Sequence, residues 1–183
     1  MPCTVGFMSV MASPDIHIRH AKQADLGSIN RVIEAALMTW AIPERVKRLS
    51  LPSYRYDTLD LDHFEIMLAE NDRENTIGIA AWEQAFDKDI PAGNNRALLL
   101  HGIYVEPSHH RQGIGRQLFK AAEDAVCKQQ HDGLLVKAQQ GASGFFIAQG
   151  MHSLKVENPA QHYGNRFWKS RMTIEETTGQ VPC

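Results

Sequence analysis

Cysteine is scarce in this sequence, and the scarcity sets the first limits on the protein. Three cysteines occur in 183 residues, at Cys3, Cys127 and Cys183. An odd, scattered set is no disulfide framework, and there is no C-x-x-C pair to indicate a redox or zinc site. We therefore expect a protein of a reducing compartment, the cytoplasm, and we interpret Cys127 as a small apolar residue of a helix.

Long hydrophobic runs are also missing. The apolar segment Val5–Ala12 is too short to span a bilayer, and no basic segment precedes it as in a signal peptide. We interpret residues 1–14 as an N-terminal extension. Residues 15–183 are predicted to form one domain, because a chain of this length suits a single core.

No excess of charge of one sign points to a polyanionic partner. The net charge is −2, and the basic cluster from His109 to Arg116 lacks the interleaved aromatic residues of a nucleic-acid surface. The histidine pairs His17/His20 and His109/His110 do not have a spacing that converges on one metal ion. We expect no metal, no nucleic acid and no membrane among the partners.

Hydrophobic periodicity predicts a mixed order of strands and helices. The segment Phe64–Glu70 fits either type, although the turn after it favours a hairpin, and Leu51–Asp62 is interpreted as a polar, aromatic connection. The predicted strands are Asp15–Arg19, Thr76–Glu83, Leu98–Val105, Leu134–Ala138 and two closing strands, His152–Glu157 and Asn165–Ile174. The predicted helices are Asp25–Leu37, a short one opened by Pro43, Gly115–Gln130 ended by Gly133, and Gly141–Gly150.

The segment VEPSHHRQGIGRQL, Val105–Leu118, joins the end of a buried strand to the start of a helix. Backbone amides at a helix start lack intrahelical partners, and glycines at 113 and 115 let an anion approach them. The alternative is a plain turn that uses glycine only for its conformation. Two nucleotide motifs are excluded: no Lys-Ser or Lys-Thr completes a P-loop, and Leu118 stands where a dinucleotide site needs a third glycine.

This segment resembles motif A of the GNAT superfamily, the GCN-five-related N-acetyltransferases, with His110 in place of the usual Gln or Arg. The segment GFFIAQGM, Gly144–Met151, resembles the family's F-Y-x-x-x-G-F element, and Ile18–Leu37 resembles its opening strand and helix. The resemblance spans about Asp15 to Met172. It implies an α/β (α+β) domain with a mixed, mostly antiparallel sheet of six to seven strands, splayed central strands and about four flanking helices.

The resemblance also implies an acetyl-CoA-dependent transfer of an acetyl group to a primary amine of a small molecule or peptide. The loop amides would hold the pyrophosphate, the central strand would bulge near Gly102, and a main-chain amide would polarise the thioester carbonyl. The residues implied in cofactor binding are Ile103, Tyr104, Val105, His110, Arg111, Gln112, Gly113, Ile114, Gly115, Arg116, Ser143 and Phe146.

The catalytic residues are the open part of this prediction. His101 is the first candidate for the general base, because an imidazole in water titrates near pH ~6.5 and the strand LHGIYV resembles that of arylalkylamine acetyltransferases. We expect His101 to share a strand face with Ile103, any bulge aside; the alternative is a packed histidine with one hydrogen bond. Glu83 is the second candidate, or else a solvated strand end.

The sequence has no tyrosine at the position that would supply the family's usual general acid. Phe146 stands where the family often has a tyrosine, so Tyr163, Tyr104 or water would have to replace it. Two other functions therefore stay open, a CoA-binding sensor or pseudoenzyme and an unrelated phosphate-binding protein, and a homodimer is also left open. Acidic residues in Leu51–Glu70 and Gln84–Ala97 predict a rim that favours cationic amines, with a solvated surface as the alternative.

Overall fold

Seven strands form one twisted sheet in the computed structural model, which describes residues 16–156 and 164–178. Their order across the sheet is β1-β2-β3-β4-β5-β7-β6, and every neighbouring pair is antiparallel except β4 and β5. The strands are β1 His17–His20, β2 Glu65–Glu70, β3 Thr76–Gln84, β4 Ala97–Val105, β5 Gly133–Lys137, β6 His152–Ser153 and β7 Arg166–Ser170.

Helices cover both faces of this sheet because each presents one apolar side. On one face α1 packs Ile29 and Ile33 against Leu68 and Ile79, while on the other α4 packs Leu118 against the sheet. Burying a side chain of this size contributes roughly 1.5–3 kcal/mol. The helices are α1 Leu26–Met38, α2 Glu44–Ser50, α3 Thr58–His63, α4 Ile114–Lys128, α5 Ser143–Ala148 and α6 Arg171–Thr178.

The middle of β4 contains a β-bulge. Ala81 of β3 pairs with Gly102 and Trp82 pairs with Leu100, so His101 is an extra residue whose backbone has no pairing partner on β3. A bulge of this kind bends the strand and increases its twist. The parallel pairing between β4 and β5 ends at the same point, with Leu100 opposite Val136. The two strands therefore diverge beyond Leu100, as the prediction of splayed central strands required.

The predicted fold class is confirmed: the sheet is mixed, mostly antiparallel and seven-stranded. Residues 16–156 and 164–178 include six α-helices where about four were expected. The connection predicted at Leu51–Asp62 contains the start of α3, because Asp57 caps the amides of Leu59 and Asp60. The closing strand ends at Ser170 rather than Ile174, since the Ser170 hydroxyl accepts the amide of Thr173 and starts α6.

The boundaries of the central helix also differ slightly from the predicted ones. Helix α4 begins at Ile114 and ends at Lys128, and Gln130, two residues later, reverses the chain with a φ of 57°. Gly133 is therefore the first residue of β5 and not the helix stop. The predicted extension, residues 1–14, lies outside the described residues. Within those that are described, no helix combines the length and apolar character needed to cross a bilayer.

Candidate active site

The loop between β4 and α4 presents a row of free backbone amides. After Val105 the chain makes one 3₁₀ turn, Pro107–His109, and then turns at Arg111 and Gly113, whose φ angles are 62° and 83°. The first amide of the helix region with a backbone acceptor is that of Gln117, which donates to the Gly113 carbonyl. In residues 16–156 and 164–178, no acceptor faces the amides of residues 111–116. These amides and the helix dipole suit an anion.

The two loop glycines have different roles. Gly113 needs its positive φ, and a Cβ built there would meet nothing within 4 Å, so the space above it is open. A Cβ on Gly115 would lie 3.3 Å from the ring of Phe145, so this glycine also allows α5 to approach α4. Gly113 therefore forms the open floor of the loop, while Gly115 serves packing as well.

Three side chains of the loop have different roles. That of His110 stabilises the loop, whereas those of Arg111 and Arg116 are free of ion pairs with the described residues. His110 Nε2 lies 3.0 Å from the carbonyl oxygen of Val105. Since a carbonyl only accepts, Nε2 carries the proton, and the ring fastens the loop to the end of β4. The guanidinium groups of Arg111 and Arg116 make no ion pair with the described residues, which leaves both cations available to an anion.

The diverging half of β4 has an unpaired edge toward β5. The amide of Glu106 donates to the Ile77 carbonyl of β3, and antiparallel ladders alternate direction along a strand. The backbone groups of Tyr104 therefore also face β3, and those of Ile103 and Val105 face the gap. Of the three predicted backbone contacts, the structure places two at the gap, while Tyr104 reaches it through its side chain.

A cavity of about 920 Å³ fills this gap between β4 and β5. The β4 residues from His101 to Tyr104 form one wall, and Val136, Lys137 and the segment from Gln139 to Ala142 form the opposite one. Residues 39–42 after α1 and Tyr54 close a third side, and Phe146 lies at the base of α5. A tapered slot between two strands suits an extended, narrow ligand arm.

His101 and Glu83 form a hydrogen-bonded pair at the bulge. His101 Nε2 lies 2.8 Å from Glu83 Oε1, and both side chains are partly exposed. A carboxylate only accepts, so Nε2 donates its proton and Nδ1 is left with a free lone pair. The ring also packs on Phe64, with centroids 4.5 Å apart.

The bulge changes the predicted orientation of His101. Ile103 packs on the α4 face with Ile114 and Leu118, whereas His101 contacts Glu83 and Phe64 on the α1 face. The expectation of a shared face is therefore wrong, because the extra residue at the bulge breaks the alternation between positions 101 and 103. Both residues still line the same cavity, since the gap is open to the two faces.

Two residues of the predicted cofactor set have structural partners. The Ser143 hydroxyl donates to the Gln140 carbonyl and bonds Asn165, and it ties the start of α5 to the residue that precedes β7. Phe146 is buried and stacks on Phe167 with centroids 5.9 Å apart. Tyr163 lies outside the described residues. Burial raises the pKa of Tyr104, which therefore holds its proton more tightly than a solvated phenol.

Sequence reasoning missed the aromatic side of the cavity. Trp40 and Tyr54 contact each other edge to face with centroids 5.3 Å apart, and the Tyr54 hydroxyl accepts a hydrogen bond from Gln139 across the opening. These residues lie in connections, where neither periodicity nor a motif marks them. The one available signal was the aromatic composition of Leu51–Asp62.

Four carboxylates of the segments predicted to form an acidic rim are engaged in the fold, and the preference for cationic amines stays a prediction. Asp57 and Asp60 cap α3, and Glu65 accepts hydrogen bonds from Trp82 and Gln129. Asp89 is buried in an ion pair with Lys137, 2.9 Å apart. These carboxylates are engaged in the fold and do not line the cavity. Residues 16–156 and 164–178 contain no cluster of three or more metal-ligating side chains.

Comparisons with known proteins agree with this geometry. No curated protein matches the chain. The structure is similar to the PaiA N-acetyltransferase from Thermoplasma acidophilum in complex with coenzyme A, with a TM-score of 0.69, 13% identity, and coverage of 85% of this chain and 99% of that one.

Two related structures are also similar. AtaTR bound with AcCoA has a TM-score of 0.64, 18% identity, and coverage of 90% and 98% of the two chains. AtaT complexed with acetyl-methionyl-tRNAfMet has a TM-score of 0.62, 17% identity, and coverage of 90% and 99%. At these identities the likeness establishes the fold.

The family is established by a sequence model. Residues 57–174 match the model described as an acetyltransferase (GNAT) domain, which is more than half of the chain. The match includes the bulged strand, the amide-rich loop and most of the residues that line the cavity. The protein thus belongs to the GNAT family of acetyltransferases.

Proposed function

We propose that the protein transfers the acetyl group of acetyl-CoA to a primary amine of a small molecule or peptide. The observation that carries the proposal is the unpaired edge of β4, which runs directly into six free amides at the start of α4. An extended arm with a diphosphate at one end matches both parts at once. Similar proteins have been determined with coenzyme A and with AcCoA, which supports the same ligand here.

The residues present fit acetyl-CoA. The amides of residues 111–116 would bind the pyrophosphate above the open floor at Gly113, with Arg111 and Arg116 adding charge. The backbone groups of Ile103 and Val105 would pair with the amides of the pantetheine arm. When bound, acetyl-CoA supplies an acetyl group already activated as a thioester.

The pair of His101 and Glu83 would act on the acceptor. An ammonium group cannot attack a carbonyl, so the amine must first lose a proton. Glu83 keeps the His101 proton on Nε2, and Nδ1 is then the atom that receives the proton of the amine, directly or through a water. The free amide of Ile103 would meanwhile stabilise negative charge on the acetyl oxygen.

The nature of the acceptor is less constrained than the cofactor. The AtaT structure contains acetyl-methionyl-tRNAfMet, whereas our expectation of no nucleic acid rests on net charge and remains a prediction. An amine panel should therefore include arylalkylamines, polyamines, peptides and methionyl-tRNA. A cytoplasmic location and a homodimer likewise remain predictions.

Thiol release in such a panel tests the proposed function. We expect release that depends on both acetyl-CoA and one class of amine, and calorimetric binding of acetyl-CoA but not of ATP. Binding without turnover on any amine would favour the sensor or pseudoenzyme. Equal binding of ATP and acetyl-CoA would mean that the loop binds phosphates without selecting CoA, and would count against the proposed binding mode.

A further inference from the structure

The cavity has no phenol at position 146, although the departing sulfur of the proposed reaction needs a hydrogen-bond donor. Phe146 is buried among aromatic rings and has no proton to donate. A donor to the sulfur would then come from another element of the cavity wall or from water.

The hydroxyl of Tyr104 is placed for this role. Tyr104 is only 7% exposed, yet it lines the cavity. Its ring lies over Gly102, and its hydroxyl oxygen is 2.9 Å from the point that a Cβ on Gly102 would occupy. A side chain at position 102 would displace the ring, so this glycine creates the space that holds the phenol at the bulge.

In the described part of the chain no donor or acceptor bonds the Tyr104 oxygen. That oxygen is also not among the fully buried side-chain atoms without a partner, so it opens onto the cavity that Tyr104 lines. The Tyr54 hydroxyl differs, because it already accepts from Gln139. A buried phenol that faces a ligand cavity without a partner indicates a hydrogen bond to the ligand.

We infer that Tyr104 donates a hydrogen bond to the sulfur of acetyl-CoA as the thiol departs, in place of the phenol missing at position 146. The inference rests on the proposed function. Gly102, beneath the phenol, directly precedes Ile103, whose amide faces the gap where the thioester would lie. The donor and the predicted oxyanion-stabilising amide thus belong to adjacent parts of β4.

The step balances without net transfer of the tyrosine proton. The amine nitrogen bonds to the acetyl carbon, and the carbon–sulfur bond breaks with its electron pair going to sulfur. His101 Nδ1 receives the amine proton, which then passes to the sulfur through solvent. Because burial raises the pKa of Tyr104, the phenol keeps its own proton and acts as a donor only.

The variants Tyr104→Phe and Tyr56→Phe test this inference as a matched pair. Tyr56 is a second tyrosine of the same aromatic cluster, and it does not line the cavity. We expect Tyr104→Phe to lower kcat by about 100-fold, as loss of one preorganised donor does, with little change in KM for acetyl-CoA. Tyr56→Phe should stay near wild type. Adding Phe146→Tyr to Tyr104→Phe should recover part of the lost turnover.

A thiol titration separates a donor from a packing residue. With CoA bound and no amine present, the thiolate absorbs in the ultraviolet as the pH rises. Loss of a donor to sulfur should move this titration to higher pH in Tyr104→Phe and leave it unchanged in Tyr56→Phe. An unchanged titration in Tyr104→Phe, or equal loss of kcat in the two variants, would overturn the inference. If wild type acetylates no amine, the proposed function fails, while the titration still decides whether Tyr104 contacts the sulfur.

Discussion

The variant His101→Gln removes the imidazole at the bulge of β4 and keeps a polar side chain of similar reach. Its amide can still donate to Glu83, so the carboxylate keeps a partner and the bulge should persist. The change removes the ring nitrogen that we propose as the base, together with the ring contact to Phe64. A positioned general base typically contributes ~100-fold or more, and at about 1.36 kcal/mol per tenfold this raises the barrier by about 2.7 kcal/mol.

The assay is initial-rate thiol release across pH, with acetyl-CoA affinity measured separately. We expect turnover at neutral pH to fall by about 100-fold while affinity stays near wild type, because His101 is not among the residues that we propose to contact the cofactor. The acidic limb of the rate profile should vanish or move, since that limb reports protonation of the base.

Glu83→Gln is the control for this prediction. The new amide oxygen can accept from His101 Nε2 as the carboxylate does, so the ring keeps its orientation and its free Nδ1. The loss should be smaller, about tenfold. Should Glu83→Gln prove the more damaging change, with His101→Gln retaining its turnover and an unaltered pH profile, then Glu83 is the base and His101 is a packed strand residue.

Three further predictions concern the loop, the core and the pH dependence of stability. Gly113→Val should weaken acetyl-CoA binding by more than tenfold, about 1.4 kcal/mol, in calorimetry. Gly93→Val is the control for backbone strain, because Gly93 has a similar φ of 86° and equally open space around it. Equal effects of the two changes on acetyl-CoA binding would contradict the proposed role of the loop. Lys169→Met leaves Glu123 buried without its cation and should lower the free energy of unfolding in urea by about 3–5 kcal/mol. The double variant with Glu123→Leu should recover much of that stability. Equal losses in the single and double variants would contradict the assignment of the loss to an unpaired buried carboxylate. Burial lowers the pKa of His131 below 6.5, so its imidazole binds a proton more tightly in the unfolded chain than in the folded chain. The free energy of unfolding should then fall as the pH drops below that value toward the folded-state pKa, and a slope unchanged in His131→Gln would contradict this.

The backbone features around the candidate site that the sequence predicted correctly depend on local rules. A buried strand, a proline, two glycines and an amphipathic helix specify the amide-rich loop within about fifteen residues, because each constraint acts on neighbouring dihedral angles. The divergence of β4 was expected near Gly102, and it occurs at the adjacent His101. The α3 helix was missed although its capping box, Asp57 with Asp60, is visible in the sequence.

The other parts depend on contacts between distant segments. Glu83 and His101 meet because β3 and β4 pair in a register that only the bulge makes possible. The fate of the acidic residues could not be predicted for a similar reason. Asp89 pairs with Lys137, and Glu65 bonds Gln129, both across long separations in the chain. The sequence shows how many carboxylates a segment contains, but their availability to a ligand depends on packing between distant segments.

The candidate active site depends on the length of β4, because the bulge consists of one extra residue, His101. Without His101, Leu100 would precede Gly102, and Ile103 and Val105 would still alternate onto the α4 face with Leu98 and Leu100. A one-codon deletion would thus spare the apolar contacts of the strand while it removed the histidine and the bend that opens the gap. We expect a protein with this deletion to keep its apolar core and to lose the acetyl transfer that we propose.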